Sequence, residues 1–508
     1  MADDLRAALE VLRAAGELET VTRPVDPAWE VTAVLDRLEQ DGRFPAVHFE
    51  AVNGHPDWSI AGNLFASRSK IAAFLGVTPG EVTETLAARL ESPIEPVLVG
   101  DEPAGSAATP APSQEVVRLG GDADLANLPL VTHHERDAAP YVSLGVTIAK
   151  DPDTGRRNMG VYRYMQHGPR SFIPSLTSIA NISDLFKKAE ERGVPLEVAI
   201  LPGVHPLIAL AASYSAPAGA DEVALAGGLL GRPVELVRAK TVDLEVPAQA
   251  EVVIEARIIP GARYPEAPFA DMSRSYSRIK QGPMTEVTAI THRRRPILQI
   301  AFSGHPDATN MAAVCHEVAI LRATRQASRG ITGVHVPASG YGFHCYLSMK
   351  KRPTVEGRER GEQINVMLAA LGAVPQIKLI VVVDDDVDIY RDDQVLGALA
   401  RRFQVVDPLT RDERILVIPA AKGASYDPSS FHREYPNSKL LIDATIRSDL
   451  TEEQRGSFAE AHTVGGDRIN LADYLVATAS TAAAPSNASQ SNASSQSPTP
   501  SPAREDRS

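Results

Sequence analysis

The sequence predicts a multidomain α/β protein: an N-terminal α/β domain over residues 1–115, a β-rich central domain over 116–310, a C-terminal α/β domain over 311–475, and a tail over 476–508. Three observations predict it. Helical and strand periodicities alternate before Gly100 and again after Ala312, as they do where helices pack on a sheet. Between Glu115 and Ile300 the runs are short and rich in β-branched residues, which is strand chemistry. The Pro/Ala/Ser-rich stretch Gly100 to Gln114 and the loss of large apolar residues after Leu475 mark a surface linker and a disordered tail.

In the N-terminal domain, Leu5 to Ala15 carries an amphipathic helical pattern and Pro45 to Glu50 reads as a strand. Ser67 to Leu75 and Glu81 to Leu90 read as two further helices. In the central domain, Tyr141 to Ala149 and the run resuming at Asn158 flank an Asp-Pro-Asp-Thr-Gly turn, which predicts a hairpin. Asn158 and Arg163, five residues apart, would face opposite ways in an ideal strand. Gly160 between them reads as a bulge or bend that relaxes this rule.

Helices are predicted at Ile182 to Arg192 and around Asp221 to Leu230, then strands broken by Pro247, and a solvated basic turn at Arg293, Arg294 and Arg295. Pro265 and Pro268 forbid a regular helix over Tyr264 to Asp271, YPEAPFAD. Glu266 and Asp271 therefore ride on an extended or looped segment able to carry two carboxylates to one cavity. In the C-terminal domain a helix is expected over Ala312 to Gln326, a strand over Gly340 to Met349 and a helix over Arg358 to Leu371. The continuous apolar run Ile377 to Val383 reads as a buried parallel strand. Asp384, Asp385 and Asp386 at its end are read as caps for the following turn and helix rather than a metal site.

Composition narrows the function. The 508 residues are 44% hydrophobic and 23% charged, as in ordinary globular proteins. A net charge of -13 argues against nucleic acid or an anionic membrane as the main partner. Two cysteines, Cys315 and Cys345, cannot build a disulfide framework or a cysteine metal site within one chain. With no export pattern at the N-terminus and no run of about 18 apolar residues, a cytoplasmic protein without a membrane span is expected. His133, His134 and Glu135 read as a polar loop rather than a zinc site, and His316-Glu317 lacks the second histidine of a zincin.

The pieces RRNMGVYR, PAGADEVALAG, VDLEVPAQAEVVIEA, YPEAPFAD, IVVVDDDVDIY and NSKLLIDAT occur in this order and resemble the signatures of the UbiD family of reversible decarboxylases, over roughly residues 1 to 450. The resemblance implies that the central domain is a split β-barrel binding prenylated FMN, the electron sink that no side chain can supply. It implies a catalytic network of Arg163, Glu266 and Asp271, in which Arg163 and Glu266 position a substrate carboxylate and Asp271 donates a proton. Ala267 and Ala270 stand where the family usually has glycine.

By the same resemblance the cofactor contacts are Asn158, Met159, Gly160, Val161, Tyr162 and Arg163 from the hairpin, with Ala180, Asn181, Ser213, Tyr214, Glu222 and Lys439 from elsewhere. Asn158, Asn181 and Glu222 would hold the metal, Asn181 replacing the usual histidine. An oxygen-only set favours Mn²⁺ or Mg²⁺, with K⁺ a further candidate ion, and Lys439 would reach the cofactor phosphate. The implied partners are a small carboxylic acid as substrate, a flavin prenyltransferase as cofactor supplier, and further copies of the chain in a homodimer or homohexamer. Two other readings stand beside this one: a flavin-binding assembly subunit needing a partner chain for turnover, and an ordinary flavin oxidoreductase.

Overall fold

The computed structural model describes residues 4–100, 110–176, 181–217, 219–276, 279–351, 361–405, 414–421, 437–447 and 450–458. The predicted tail, most of the linker after Gly100, Ala180 and the expected helix start at Arg358 lie outside them. Leu5, Ala8, Leu9 and Leu12 recur at helical spacing and are buried along one side of α1 (Leu5–Ala14), which Asp4 caps by accepting from the Ala7 N–H. Helices α2 (Glu30–Gln40), α3 (Arg68–Leu75) and α4 (Val82–Leu90) accompany strands β1 (Leu18–Val21), β2 (Ala46–Phe49), β3 (Ser59–Gly62) and β4 (Val97–Leu98).

The middle of the chain supplies β5 (Val116–Leu119), β6 (Tyr141–Lys150), β7 (Arg157–Gly168), β8 (Ser171–Pro174), α5 (Asn181–Glu191) and β9 (Leu196–Leu201). It continues through α6 (Pro206–Ser213), α7 (Glu222–Leu230), β10 (Glu235–Arg238), β11 (Glu245–Pro247), β12 (Val252–Glu266), β13 (Lys280–His292) and β14 (Ile297–Gln299). Strands β12, β9, β6, β7, β8 and β13 hydrogen-bond in that order, and β12 pairs back with β13, so six antiparallel strands close into a barrel. Closure leaves no free edge among them, and β5 is appended to β13.

The backbone irregularity near the hairpin is not at Gly160. Register between β6 and β7 runs unbroken from Gly145↔Tyr162 to Lys150↔Arg157 and slips between Val142 and Gly145, on the strand facing Arg163. Gly160 serves space instead: a Cβ there would run into the hydroxyl of Tyr162, two residues on and on the same face. The extra residue in β6 bends the barrel wall where Arg163 emerges.

Beyond the barrel, β14 leaves it and pairs in parallel with β3, completing the sheet β1-β2-β3-β14. The basic turn between β13 and β14 is therefore a crossing between layers, and it is not simply solvated. Arg293 bonds to Asp4 at 2.9 Å and to the fully buried Glu251 at 3.3 Å, and Arg6 grips the same Glu251 at 2.8 and 2.9 Å.

The C-terminal layer consists of α8 (Pro306–Ala327), β15 (Ile331–His335), β16 (His344–Met349), α9 (Glu362–Ala373), β17 (Leu379–Asp384), α10 (Asp392–Arg402), β18 (Ile415–Ala421) and β19 (Asn437–Asp443), with sheet order β15-β16-β17-β19-β18. α8 starts earlier than its periodicity suggests because Pro306 sits in its first turn, where a missing N–H costs nothing. The apolar run in β17 is buried between two parallel neighbours, as expected. The acids at its end are not caps. Asp384 accepts from the Ile446 N–H and faces Lys351 and Arg402, and Asp386 pairs with Arg402 at 2.7 Å, so the carboxylates tie strand ends to α10.

Glu317 of α8 joins the N-terminal and C-terminal layers. Its buried carboxylate takes Arg68 at 2.7 Å, Thr83 at 2.6 Å and His335 at 2.8 Å. Burial alone would raise its pKa, but Arg68 and His335 outweigh burial and lower it to about 2. A carboxylate depressed on folding stabilises the fold above its unfolded value and loses that contribution as pH falls from about 4.5 toward 2. We expect Glu317→Gln to unfold about 3 kcal/mol more easily at neutral pH, with the difference from wild type shrinking through that acid window in denaturant titrations. An unchanged difference at every pH would assign the loss to packing.

Candidate active site

Arg163 emerges from β7 opposite the β6 irregularity and turns toward the loop that follows β12. Its Nε donates to Glu266 Oε1 at 3.0 Å, its Nη2 to Glu266 Oε2 at 3.4 Å, and its Nη1 to Asp271 Oδ2 at 2.9 Å. Glu266 is fully buried and Asp271 nearly so. The guanidinium lies 4.6 Å from the ring centroid of Phe269, which sits between the two acids in sequence. Burial works against its charge, yet Asp271 and Glu266 more than offset this and raise its pKa, so it is cationic throughout the working range.

The loop is held in place from outside. Asp137 accepts from the Ala270 N–H at 3.2 Å and from the N–H groups of His133 and His134, and Ala138 N–H donates to Pro268 C=O at 2.9 Å. Ala267 has φ 101°, a region that favours glycine. His133 is buried with both ring nitrogens unpartnered among the described residues, and burial depresses its pKa to about 3. It packs against Phe269 at 5.9 Å.

A second cluster lies at the start of the hairpin. Asn158 Nδ2 donates to Glu222 Oε1 at 3.2 Å and the Met159 N–H to Oε2 at 2.9 Å, while Asp221 caps α7 and pairs with Arg157 at 2.7 Å. Glu222 is 3% exposed, and burial pushes its pKa up. Tyr162, packed over Gly160, accepts from the Ile182 N–H at 3.4 Å and is pushed to about 12 by burial. Val161 is half-buried against the core.

The structure thus brings together Arg163, Glu266 and Asp271, and separately Asn158, Met159 and Glu222. Asn181 is the exposed first residue of α5, whose next residue, Ile182, donates its N–H to Tyr162 of the hairpin. Ser213 Oγ donates to Ala209 C=O and the Tyr214 hydroxyl accepts from Arg322. Lys439 is buried in β19, where its Nζ donates to the carbonyls of Pro375 and Ile377 at 2.5 and 2.7 Å, so its charge is satisfied inside the C-terminal layer. Two residues of the site were not anticipated: Phe269 under the guanidinium and Tyr141, whose ring packs on Phe269 at 4.4 Å.

A central six-strand barrel between two α/β layers thus carries on its wall a buried arginine held by two acids. Residues 9–90, 106–306 and 309–444 match the N-terminal, Rift-related and C-terminal domains of 3-octaprenyl-4-hydroxybenzoate carboxy-lyase, and the chain belongs to the UbiD family that these domains constitute.

Among its relatives, the anhydromevalonate phosphate decarboxylase of Methanothermobacter thermautotrophicus is 31% identical over 80% of this chain and 89% of that protein. The UbiD-class enzyme HmfF from Pelotomaculum thermopropionicum, solved in complex with FMN, superposes with a TM-score of 0.83 at 35% identity over 93% of this chain and all of that one. An evolved dimeric form of HmfF, in complex with prFMN, gives 0.80 at 33% identity over the same shares. No helix among the described residues is long and apolar enough to cross a membrane.

The Asn158–Glu222 cluster fits a metal-anchored flavin phosphate in its chemistry. Glu222 is a buried carboxylate with no basic side chain at ion-pair distance among the described residues, and its partners are an amide and a backbone N–H. A buried carboxyl without a counter-charge either keeps a proton or takes a cation, and for a cation an all-oxygen set suits a hard ion.

Proposed function

We propose that this chain catalyses reversible non-oxidative decarboxylation of an aromatic, heteroaromatic or α,β-unsaturated carboxylic acid, with prenylated FMN held through Asn158 and Glu222 by Mn²⁺ or Mg²⁺. The observation that carries the reading is the Arg163–Glu266–Asp271 network. Bound prenylated FMN would supply the electron sink for the carbon that loses CO₂. The chain's own residues do the rest.

Arg163 offers a planar fork that Glu266 holds in one orientation, which suits a substrate carboxylate better than a flexible ammonium would. Decarboxylation consumes one proton, and in this reading Asp271, bonded to Arg163 beside the substrate carboxylate, carries it. CO₂ leaves as a neutral molecule, so the carboxylate's charge stays behind as the electron pair of the broken C–C bond, which bound prenylated FMN would delocalise. The proton then passes from Asp271 to the carbon whose C–C bond broke, and water restores it to Asp271. Assembly through the C-terminal layer into a homodimer or homohexamer belongs to this reading, supported by Val417 and Leu440, which pair across β18 and β19 and are both exposed.

The test is to co-produce the chain with a flavin prenyltransferase, identify the bound cofactor by mass spectrometry, and follow CO₂ release from a panel of acids. Turnover by the single purified chain supports the enzyme. Turnover only after a second protein is added would favour the assembly-subunit reading, and NAD(P)H oxidation without CO₂ release the oxidoreductase. Glu222→Gln, which keeps shape and removes the charge, is expected to lower Mn²⁺ and flavin occupancy together by about 10-fold or more, read by metal analysis and flavin absorbance. Unchanged occupancy would move the metal elsewhere.

A further inference from the structure

Tyr141 is completely buried at the head of β6, and its hydroxyl lies beside Glu266 without forming a hydrogen bond of good geometry to any described residue. A buried phenol usually finds a partner, and leaving one without costs stability. Its ring is fixed by Phe269 at 4.4 Å, the same ring over which Arg163 lies at 4.6 Å, and Met165 and Ile173 complete the apolar surround, with Tyr264 at its flank. The charged groups that act on the hydroxyl are Glu266 on β12, Arg163 on β7 and Asp137 on the loop before β6. Asp137 is already engaged by the N–H groups of His133, His134 and Ala270. Glu266 is held by Arg163 through one bond of 3.0 Å and one of 3.4 Å, the longer being the easier to give up to an incoming carboxylate.

We propose that Tyr141 is a positioning residue of the reaction: when a substrate carboxylate takes Arg163 Nη2, the Tyr141 hydroxyl donates to the Glu266 oxygen thereby released and keeps that carboxylate ionised, so the proton shared by the two acids rests on Asp271. This rests on the proposed decarboxylation and deepens it, because two neighbouring carboxylates with one proton need an asymmetry to decide which is the donor. The phenol supplies it by hydrogen bonding to the ionised form of one member only.

Tyr141→Phe tests it, since the ring and its contact with Phe269 remain. In the flavin-loaded enzyme the plateau of kcat should fall about tenfold or more. Its alkaline limb should move to higher pH, because the pair now also stores its proton on Glu266, where it is unproductive. A merely structural defect would lower the plateau without moving the limb. In the cofactor-free protein with an unreactive carboxylic acid bound, infrared titration with ¹³C-labelled aspartate should assign the protonated carboxyl to Asp271 in wild type and partly to Glu266 in Tyr141→Phe. An unchanged plateau and limb, or a protonated carboxyl that stays on Asp271 in the variant, would overturn the role of Tyr141. Wild-type inactivity, or full activity of Arg163→Ala, would instead overturn the underlying decarboxylation.

Discussion

Arg163→Ala is expected to abolish measurable decarboxylation, with kcat/KM reduced by about 10²-fold to 10⁴-fold, the loss that follows when one partner of a buried, hydrogen-bonded charge network is removed. The variant removes the fork that receives the substrate carboxylate and leaves Glu266, fully buried, beside Asp271 with no counter-charge. Two adjacent carboxylates in that state cannot both remain ionised, so the cluster takes up a proton regardless of substrate. Arg163→Lys keeps the charge but not the bidentate geometry and should recover only a small part of the activity. Steady-state kinetics on the flavin-loaded variants decide this. Because the Asn158–Glu222 cluster shares no described bond with the Arg163 network, cofactor content should be unchanged, and a parallel loss of flavin would show that Arg163 acts on retention instead.

Asp271→Asn is expected to lower kcat by about 10² to 10⁴, the usual contribution of a positioned proton donor, with KM altered far less. Asparagine preserves the shape beside Arg163 Nη1 but cannot deliver a proton. The distinguishing measurement is hydrogen exchange into product-like substrate in D₂O: wild type should exchange the hydrogen at the carbon that would carry CO₂, and the variant should not. If exchange and kcat persist, the proton comes from another group and Asp271 only positions Arg163.

Much of this arrangement is legible in the sequence because it rests on local rules. The β-branched runs around Asp-Pro-Asp-Thr-Gly gave the β6–β7 hairpin, and two prolines in YPEAPFAD gave a non-helical segment able to present Glu266 and Asp271 together. The placement of the β-bulge was not legible. It depends on how β6 meets its partner, a tertiary register that no single strand encodes, so the glycine in β7 drew the inference to the wrong strand. β14 followed a basic turn and resembled the strands before it, yet it pairs with β3, some two hundred residues away in the chain.

Charged residues were the hardest to place. Lys439 and the acids after Val383 have hydrophilic side chains, yet Lys439 is buried on strand-end carbonyls and Asp384 and Asp386 hold Arg402. Which partner a charge finds is set by the packing of distant elements rather than by spacing. Tyr141 and Phe269 were visible only as members of a strand and a loop, and their stacking under Arg163 emerges when the barrel closes.

The most direct test of the central claim is a crystal structure of the prenylated-FMN-loaded protein with an unreactive carboxylic acid bound. The account predicts the acid's carboxylate within hydrogen-bond distance of the Arg163 guanidinium, the flavin ring beside it with its phosphate end toward Glu222, and Asp271 facing the carbon that bears the carboxylate. A flavin bound away from the Arg163 side of the barrel, or a carboxylate that ignores Arg163, would contradict it.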